Sequence, residues 1–183
     1  MITDKKTVRQ TVIAQLKSLP KQQRRLEEQG LIDQLMASSE WQRAATVGLT
    51  MSTAIELDTV PLIVAALNAG KRVVIPQTRP NRKMVFIDYE AGHVPLKRTS
   101  YGILEPENGR EVPADDIDLI IVPGLAFIPS DGTRLGFGAG YYDRYLATYS
   151  GSTIALARSP QIYLTAEWPV ESFDVKLKRI ITN

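Results

Sequence analysis

A chain of 183 residues with 44% apolar side chains and a formal net charge of +2 can bury one core of ordinary size, and a single domain over residues 1–183 is expected. It holds no cysteine and one histidine, His93, which excludes disulfides, thiolate metal sites, cysteine nucleophiles and His-cluster zinc sites, and leaves little room for a Ser-His-Asp triad. No apolar run reaches the roughly eighteen residues of a membrane span, the N-terminal segment is charged rather than signal-like, and the charge is too small to argue for a nucleic-acid groove, so a cytoplasmic protein with neither membrane nor nucleic-acid partner is expected.

Asp4 is placed to cap a helix over 5–18, with Val8, Val12, Ile13 and Leu16 at helical spacing and Pro20 just beyond its end. A second helix is predicted from Lys21 to the neighbourhood of Ala37, with Leu26, Leu31, Ile32 and Leu35 as its buried stripe. Four short apolar runs, 47–51, 72–75, 117–122 and 153–157, read as buried strands. Between the first two, Asp58 and Thr59 open a helix carrying Val60, Leu62, Ile63, Ala66 and Leu67, and Gly70 marks its exit. A strand-helix-strand unit of this kind favours a parallel pair. The stretches 84–89 and 94–107, punctuated by Pro95, Gly102 and Pro106, read as an added hairpin and loop, with His93 on a surface loop. After Val122 a Gly/Pro-rich loop leads to a helix predicted over 139–149 and then to the next strand, while Trp41 and Trp168 are read as core or cover. The expected fold is a three-layer α/β domain with a mostly parallel central sheet and helices on both faces.

Ligands of open α/β sheets bind beyond the carboxyl ends of the strands, which directs attention to the loop after Val122. There Gly136, Gly138 and Gly140 alternate, so consecutive amides can approach an anion closely, and a helix starting near Ala139 would add its positive end. Arg134 supplies a planar charged fork suited to phosphate oxygens, and Asp143 is a hard oxygen ligand of the kind that holds magnesium on nucleotide phosphates. The spacing matches neither the phosphate-loop pattern nor the dinucleotide fingerprint. On spacing alone the segment is therefore either a phosphate cradle or a glycine-rich connection with Tyr141, Tyr142 and Tyr145 packed as core.

The combination of Pro123-Gly124, Phe127, Gly132, Arg134-Leu135-Gly136 and Gly138-x-Gly140-Tyr141-Tyr142-Asp143 resembles the signature of the 5-formyltetrahydrofolate cyclo-ligase (methenyltetrahydrofolate synthetase) family. The likeness extends through three further blocks. Lys5, Lys6, Thr7, Val8 and Arg9 are similar to a basic motif at which ATP phosphates bind, and on a helix Lys5 and Arg9 share a face; a solvated basic face is the bland alternative. Glu56 to Thr59 resembles an acidic motif in which Glu56 bonds the reduced pterin and Met51 lines its pocket. Gln161, Pro169, Asp174 and Thr182 resemble the closing segment, with Asp174 near the metal or nucleotide.

By this resemblance Arg134, Leu135, Gly136, Phe137, Gly138, Ala139, Gly140, Tyr141 and Tyr142 contact the nucleotide. Phe137 to Tyr141 also face the folate, Arg134 and Tyr141 serve catalysis, and Asp143 with Asp174 holds Mg²⁺. The implied reaction turns 5-formyltetrahydrofolate, monoglutamate or polyglutamylated, and MgATP into 5,10-methenyltetrahydrofolate, ADP and phosphate through an iminium phosphate, in a monomer. Arg158, Phe173 and Lys178 stand where the family pattern has an aromatic, a histidine and an acidic residue. Two alternatives follow: a folate- or nucleotide-binding relative without turnover, and a sugar-phosphate isomerase or CoA-transferase relative of the same layout.

Overall fold

The structure, a computed structural model, describes residues 3–90, 93–100 and 102–183. In chain order, α1 (Lys5–Ser18), α2 (Lys21–Ala37) and a short α3 (Ser39–Arg43) precede β1 (Thr46–Gly48), α4 (Val60–Asn68) and β2 (Arg72–Arg79). Next come β3 (Lys83–Asp88), β4 (Leu96–Arg98), β5 (Leu104–Pro106), β6 (Glu111–Val112) and β7 (Leu119–Ile121). The chain closes with β8 (Ala126–Ile128), β9 (Thr133–Leu135), α5 (Tyr141–Leu146), β10 (Ser152–Ala157) and β11 (Arg179–Thr182).

The central sheet has 7 strands in the order β11-β10-β7-β1-β2-β3-β6. From β11 to β2 every pairing is parallel, and β3 and β6 add an antiparallel flank. The unbroken apolar runs belong to strands covered on both faces. Alternate residues go to opposite sides: Val73, Leu119, Ile121, Ile154 and Leu156 pack under α2, α3 and α4. Val74, Ile120, Val122, Ala155 and Ala157 pack against Phe127, Leu146 and the tyrosines around α5. Each of the valine, leucine and isoleucine side chains contributes roughly 1.5–3 kcal/mol of burial. Trp41 and Trp168 are both core residues, and His93 is exposed.

The first helix does not join either layer. Asp4 accepts the amides of Lys6 and Thr7 at 2.9 and 3.0 Å, satisfying donors that the first turn leaves open. Val8, Val12 and Leu16 then seat α1 on the β8-β9 hairpin and on Trp168. Two local expectations are corrected. Leu26 is 67% exposed, because the α2 stripe is set by Leu31 and Leu35 and five residues of helix rotate a side chain roughly 140° from that stripe. The helix expected over 139–149 is only Tyr141–Leu146: positive φ at Gly138 and Gly140 delays its start, and past Leu146 the backbone tightens into turns, with the Thr148 and Tyr149 amides donating to Tyr145 O and Leu146 O at 3.4 and 3.2 Å.

Candidate active site

From β1 the chain crosses to β2 on one side, and from β7 it crosses to β10 and β11 on the other, so the strand order reverses between β1 and β7. A crevice opens at the carboxyl ends of strands at such a point. Here it is lined by Thr50, Glu56, Ile121, Pro123, Gly124 and Gln161. Glu56 Oε2 accepts from Thr53 N at 2.7 Å and from Thr53 Oγ1 at 2.6 Å. That fixes the carboxylate while leaving Oε1 without a protein donor among the described residues. Met51 is partly buried against the α2–α4 side of the sheet. Asp58 Oδ1 accepts the Val60 amide at 3.0 Å, but the residue at the N-cap of α4 is Thr59, which makes no side-chain cap and instead donates its hydroxyl to Thr50 O at 2.6 Å.

The glycine loop runs from β9 into α5 at the same end of the sheet. Among the described residues, no amide from Gly136 to Gly140 donates to a protein acceptor. Gly138 and Gly140 hold φ of 112° and 71°, a region that a side chain rarely tolerates. The stretch is open to solvent, with Phe137 44% exposed. A row of free amides in such a turn is an anion-binding concavity. The 6-residue helix behind it adds less macrodipole than a longer one would, so an anion there would be met chiefly by the amides.

Of the α1 cations, Arg9 reaches this loop and Lys5 pairs with Asp174 beside Phe173. Arg9 donates from Nε to Gly136 O at 2.8 Å, and Lys5 Nζ lies 2.8 Å from Asp174 Oδ2. Burial draws the Arg9 guanidinium below its ordinary pKa and Asp174 opposes that shift; arginine remains charged at any physiological pH. The rest of the basic block points elsewhere. Val8 is buried in the α1 core, Lys6 is exposed, and the Thr7 hydroxyl donates to Asp4 Oδ2 at 2.5 Å.

Arg134 is only 6% exposed, and its fork is not presented to solvent as the sequence reading expects. Nη1 donates to Pro123 O at 3.1 Å and Nη2 to Asp143 Oδ1 at 2.9 Å. Asp143 Oδ1 also accepts the Val175 amide at 3.2 Å, which brings the Asp174 segment beside α5. Asp143 Oδ2 has no protein donor among the described residues. Gly136 is required next to the fork, since a Cβ there would lie 2.8 Å from Arg134 Nη1. The Arg134 guanidinium also sits 5.8 Å from the Tyr142 ring centre. Burial, with Glu56 and Glu105 adding to it, holds the Tyr142 phenol well above its ordinary pKa, and its hydroxyl is buried without a partner among the described residues. Tyr141 is partly buried on the α5 side of the core, beside Tyr142 and Tyr145, and Leu135 is buried in the α1 core.

A family model described as the 5-formyltetrahydrofolate cyclo-ligase family matches residues 1–183. The chain belongs to the 5-formyltetrahydrofolate cyclo-ligase family. Relatives agree along the chain. A 5-formyltetrahydrofolate cyclo-ligase of Escherichia coli is 34% identical over 89% of this chain and 91% of its own. A probable 5-formyltetrahydrofolate cyclo-ligase of Caenorhabditis elegans is 30% identical over 97% of this chain and 91% of its own. The solved structure of Aquifex aeolicus 5,10-methenyltetrahydrofolate synthetase superposes with a TM-score of 0.82 at 28% identity, covering 96% of this chain and 88% of that one. Membership of the cyclo-ligase family makes the chain an enzyme of that family and gives no support to the isomerase or CoA-transferase reading.

The departures from the cyclo-ligase pattern are spread apart in space. Lys178 is followed by β11 at the amino-terminal end of the sheet, where its amide donates to Thr153 Oγ1 at 2.9 Å, opposite the crevice. Phe173 is 69% exposed, and the Lys5 ammonium lies 5.8 Å from its ring centre. Arg158 is fully buried and reaches the segment carrying Glu56. Its partner Glu28, which also accepts from Arg24, lies on α2, where charged residues read as an ordinary solvated face, so no sequence signal marks either one.

Proposed function

We propose that residues 1–183 act as one catalytic unit that closes 5-formyltetrahydrofolate to 5,10-methenyltetrahydrofolate with conversion of ATP to ADP and phosphate. The observation that carries this reading is the run of free amides from Gly136 to Gly140, bordered by Arg9 and joined through Arg134 to Pro123 of the crevice that holds Glu56. The amides, Lys5 and Arg9 bind and orient a polyphosphate. Glu56 offers its free Oε1 to the donors of a pterin amino-pyrimidine edge, with Met51, Phe137 and Tyr141 bordering the ring. ATP, when bound, supplies the phosphoryl group that makes the formyl oxygen a competent leaving group.

The acidic residues suit magnesium on such a nucleotide. Magnesium is usually held by one or two carboxylates plus phosphates rather than by a full protein cage. Among the described residues no cluster of three or more His, Cys, Asp or Glu stands ready to hold a metal by itself. Asp143, through its free Oδ2, and Asp174 would hold the ion, which would neutralise charge on the phosphoryl oxygens. Arg134 holds Asp143 and the Pro123 turn in register, and its charge lies behind the cradle. No side chain is required as a covalent nucleophile.

Purified protein mixed with 5-formyltetrahydrofolate and MgATP is expected to accumulate the near-ultraviolet absorbance of the methenyl product, with dependence on both substrates. Binding of both without product would instead identify a non-catalytic folate- and nucleotide-binding relative, and absence of binding would overturn the reading. The reading includes a cytoplasmic monomer acting on folate with or without a polyglutamate tail. Among the described residues no helix is long and apolar enough to cross a membrane.

Tyr142 gives a separate test. Its protonated hydroxyl is a buried group without a partner among the described residues. Tyr142→Phe is expected to raise the free energy of unfolding of the free protein by about 1 kcal/mol, read by urea titration. A loss of stability would show that the hydroxyl is already bonded.

A further inference from the structure

Three consecutive carbonyls in the segment after β1 are gripped by two arginines from distant parts of the chain. Arg24 of α2 donates from Nη1 to Ala54 O at 2.9 Å and from Nη2 to Glu56 O at 2.9 Å. Arg158, just past β10, donates from Nη2 to Ile55 O. Glu28 stands between the two guanidiniums: its Oε1 accepts from Arg24 Nε at 2.9 Å and from Arg158 Nη1 at 3.1 Å. The Arg158 end is anchored as well. Its own amide donates to Gln161 Oε1 at 3.1 Å, and Gln161 Nε2 donates to Gly124 O at 2.8 Å on the opposite wall of the crevice.

A surface segment needs no such arrangement to satisfy its carbonyls, because water would do so. A guanidinium with no solvent exposure is costly to desolvate, and burial does pull Arg158 below its ordinary pKa while Glu28 opposes the shift. What the arrangement adds is position. The backbone is held at Glu56 and at the two residues before it, while Thr53 holds Glu56 Oε2. The direction of the free Oε1 is thereby fixed before any ligand arrives.

We infer that Arg24, Glu28 and Arg158 are positioning residues that set the Glu56 carboxylate for the folate, and thus tune folate affinity without touching the ligand. The inference rests on the reading of Glu56 as the pterin contact. Arg24→Met and Arg158→Met each leave Glu28 paired with the remaining arginine, so neither change strands a carboxylate. Each is expected to raise the calorimetric Kd for 5-formyltetrahydrofolate roughly tenfold, as loss of an outer-shell support does, with the Kd for MgATP unchanged. Arg24→Lys, which keeps the charge but lacks the fork, falls between wild type and Arg24→Met.

In a Glu56→Gln background, itself weaker for folate, adding either arginine change is expected to have little further effect, because the clamp acts through the group already altered. Unchanged folate affinity in both arginine variants, a parallel loss of MgATP affinity, or an undiminished tenfold loss in the Glu56→Gln background would each overturn the clamp while leaving the Glu56 assignment standing. Full folate affinity in Glu56→Gln alone would overturn that assignment and the clamp with it. If Arg158→Met fails to fold, Arg24→Met carries the same comparison.

Discussion

Arg134→Ala is expected to lower kcat by a hundredfold or more and to reduce the stability of the free protein by about 3 kcal/mol. Both effects come from one geometry. The guanidinium is buried, with one nitrogen on Pro123 O and another on Asp143 Oδ1, so its loss releases the turn after β7 and leaves Asp143 without its charged partner. The Asp143 side chain keeps 20% exposure, which lets water recover part of the cost. Arg134→Lys should not restore turnover, because an ammonium cannot span both acceptors in the plane of the fork. Single-turnover kinetics and a urea titration read the two effects separately. Near-normal kcat in Arg134→Ala would remove the residue from the mechanism.

Asp143→Asn is expected to lower kcat by about two orders of magnitude at a cost in stability of about 1 kcal/mol. The amide keeps the shape of the side chain, and its oxygen can still accept from Arg134 and from the Val175 amide. What disappears is the negative charge on the oxygen that the protein leaves free. The half-saturating Mg²⁺ concentration should rise with the fall in kcat. A variant with normal turnover and normal Mg²⁺ dependence would assign Asp143 to holding Arg134 alone. The contrast with Arg134→Ala is informative, because both variants lose turnover but only the arginine change disturbs the fold strongly.

Elements governed by neighbours in the chain were legible beforehand. Asp4 caps α1 because a carboxylate two and three residues before open amides meets them in any context. Lys5 and Arg9 share a face because helical geometry requires it, and Arg9 meets the glycine loop while Lys5 meets Asp174. The strands of the sheet core were visible as apolar runs, although β2 continues to Arg79 past its predicted end. The glycine alternation marked the loop itself. Leu26 and the length of α5 were misjudged, since periodicity cannot say which of several apolar residues meets a neighbour, nor where glycine backbone will refuse the helix.

Partnerships across the chain belong to the tertiary structure. Arg134 looked like an open phosphate fork, and only folding shows it turned to Pro123 and Asp143. Arg158 read as a departure from pattern, and its bond to Glu28 joins residues 130 positions apart. The sequence by itself determined the α/β class, the family likeness and the residue types able to bind phosphate, because these depend on local periodicity, backbone freedom and side-chain chemistry. The tertiary structure decided which charges face a ligand and which hold one another, because ion pairing follows distance in space and burial, neither of which has a local trace in the chain.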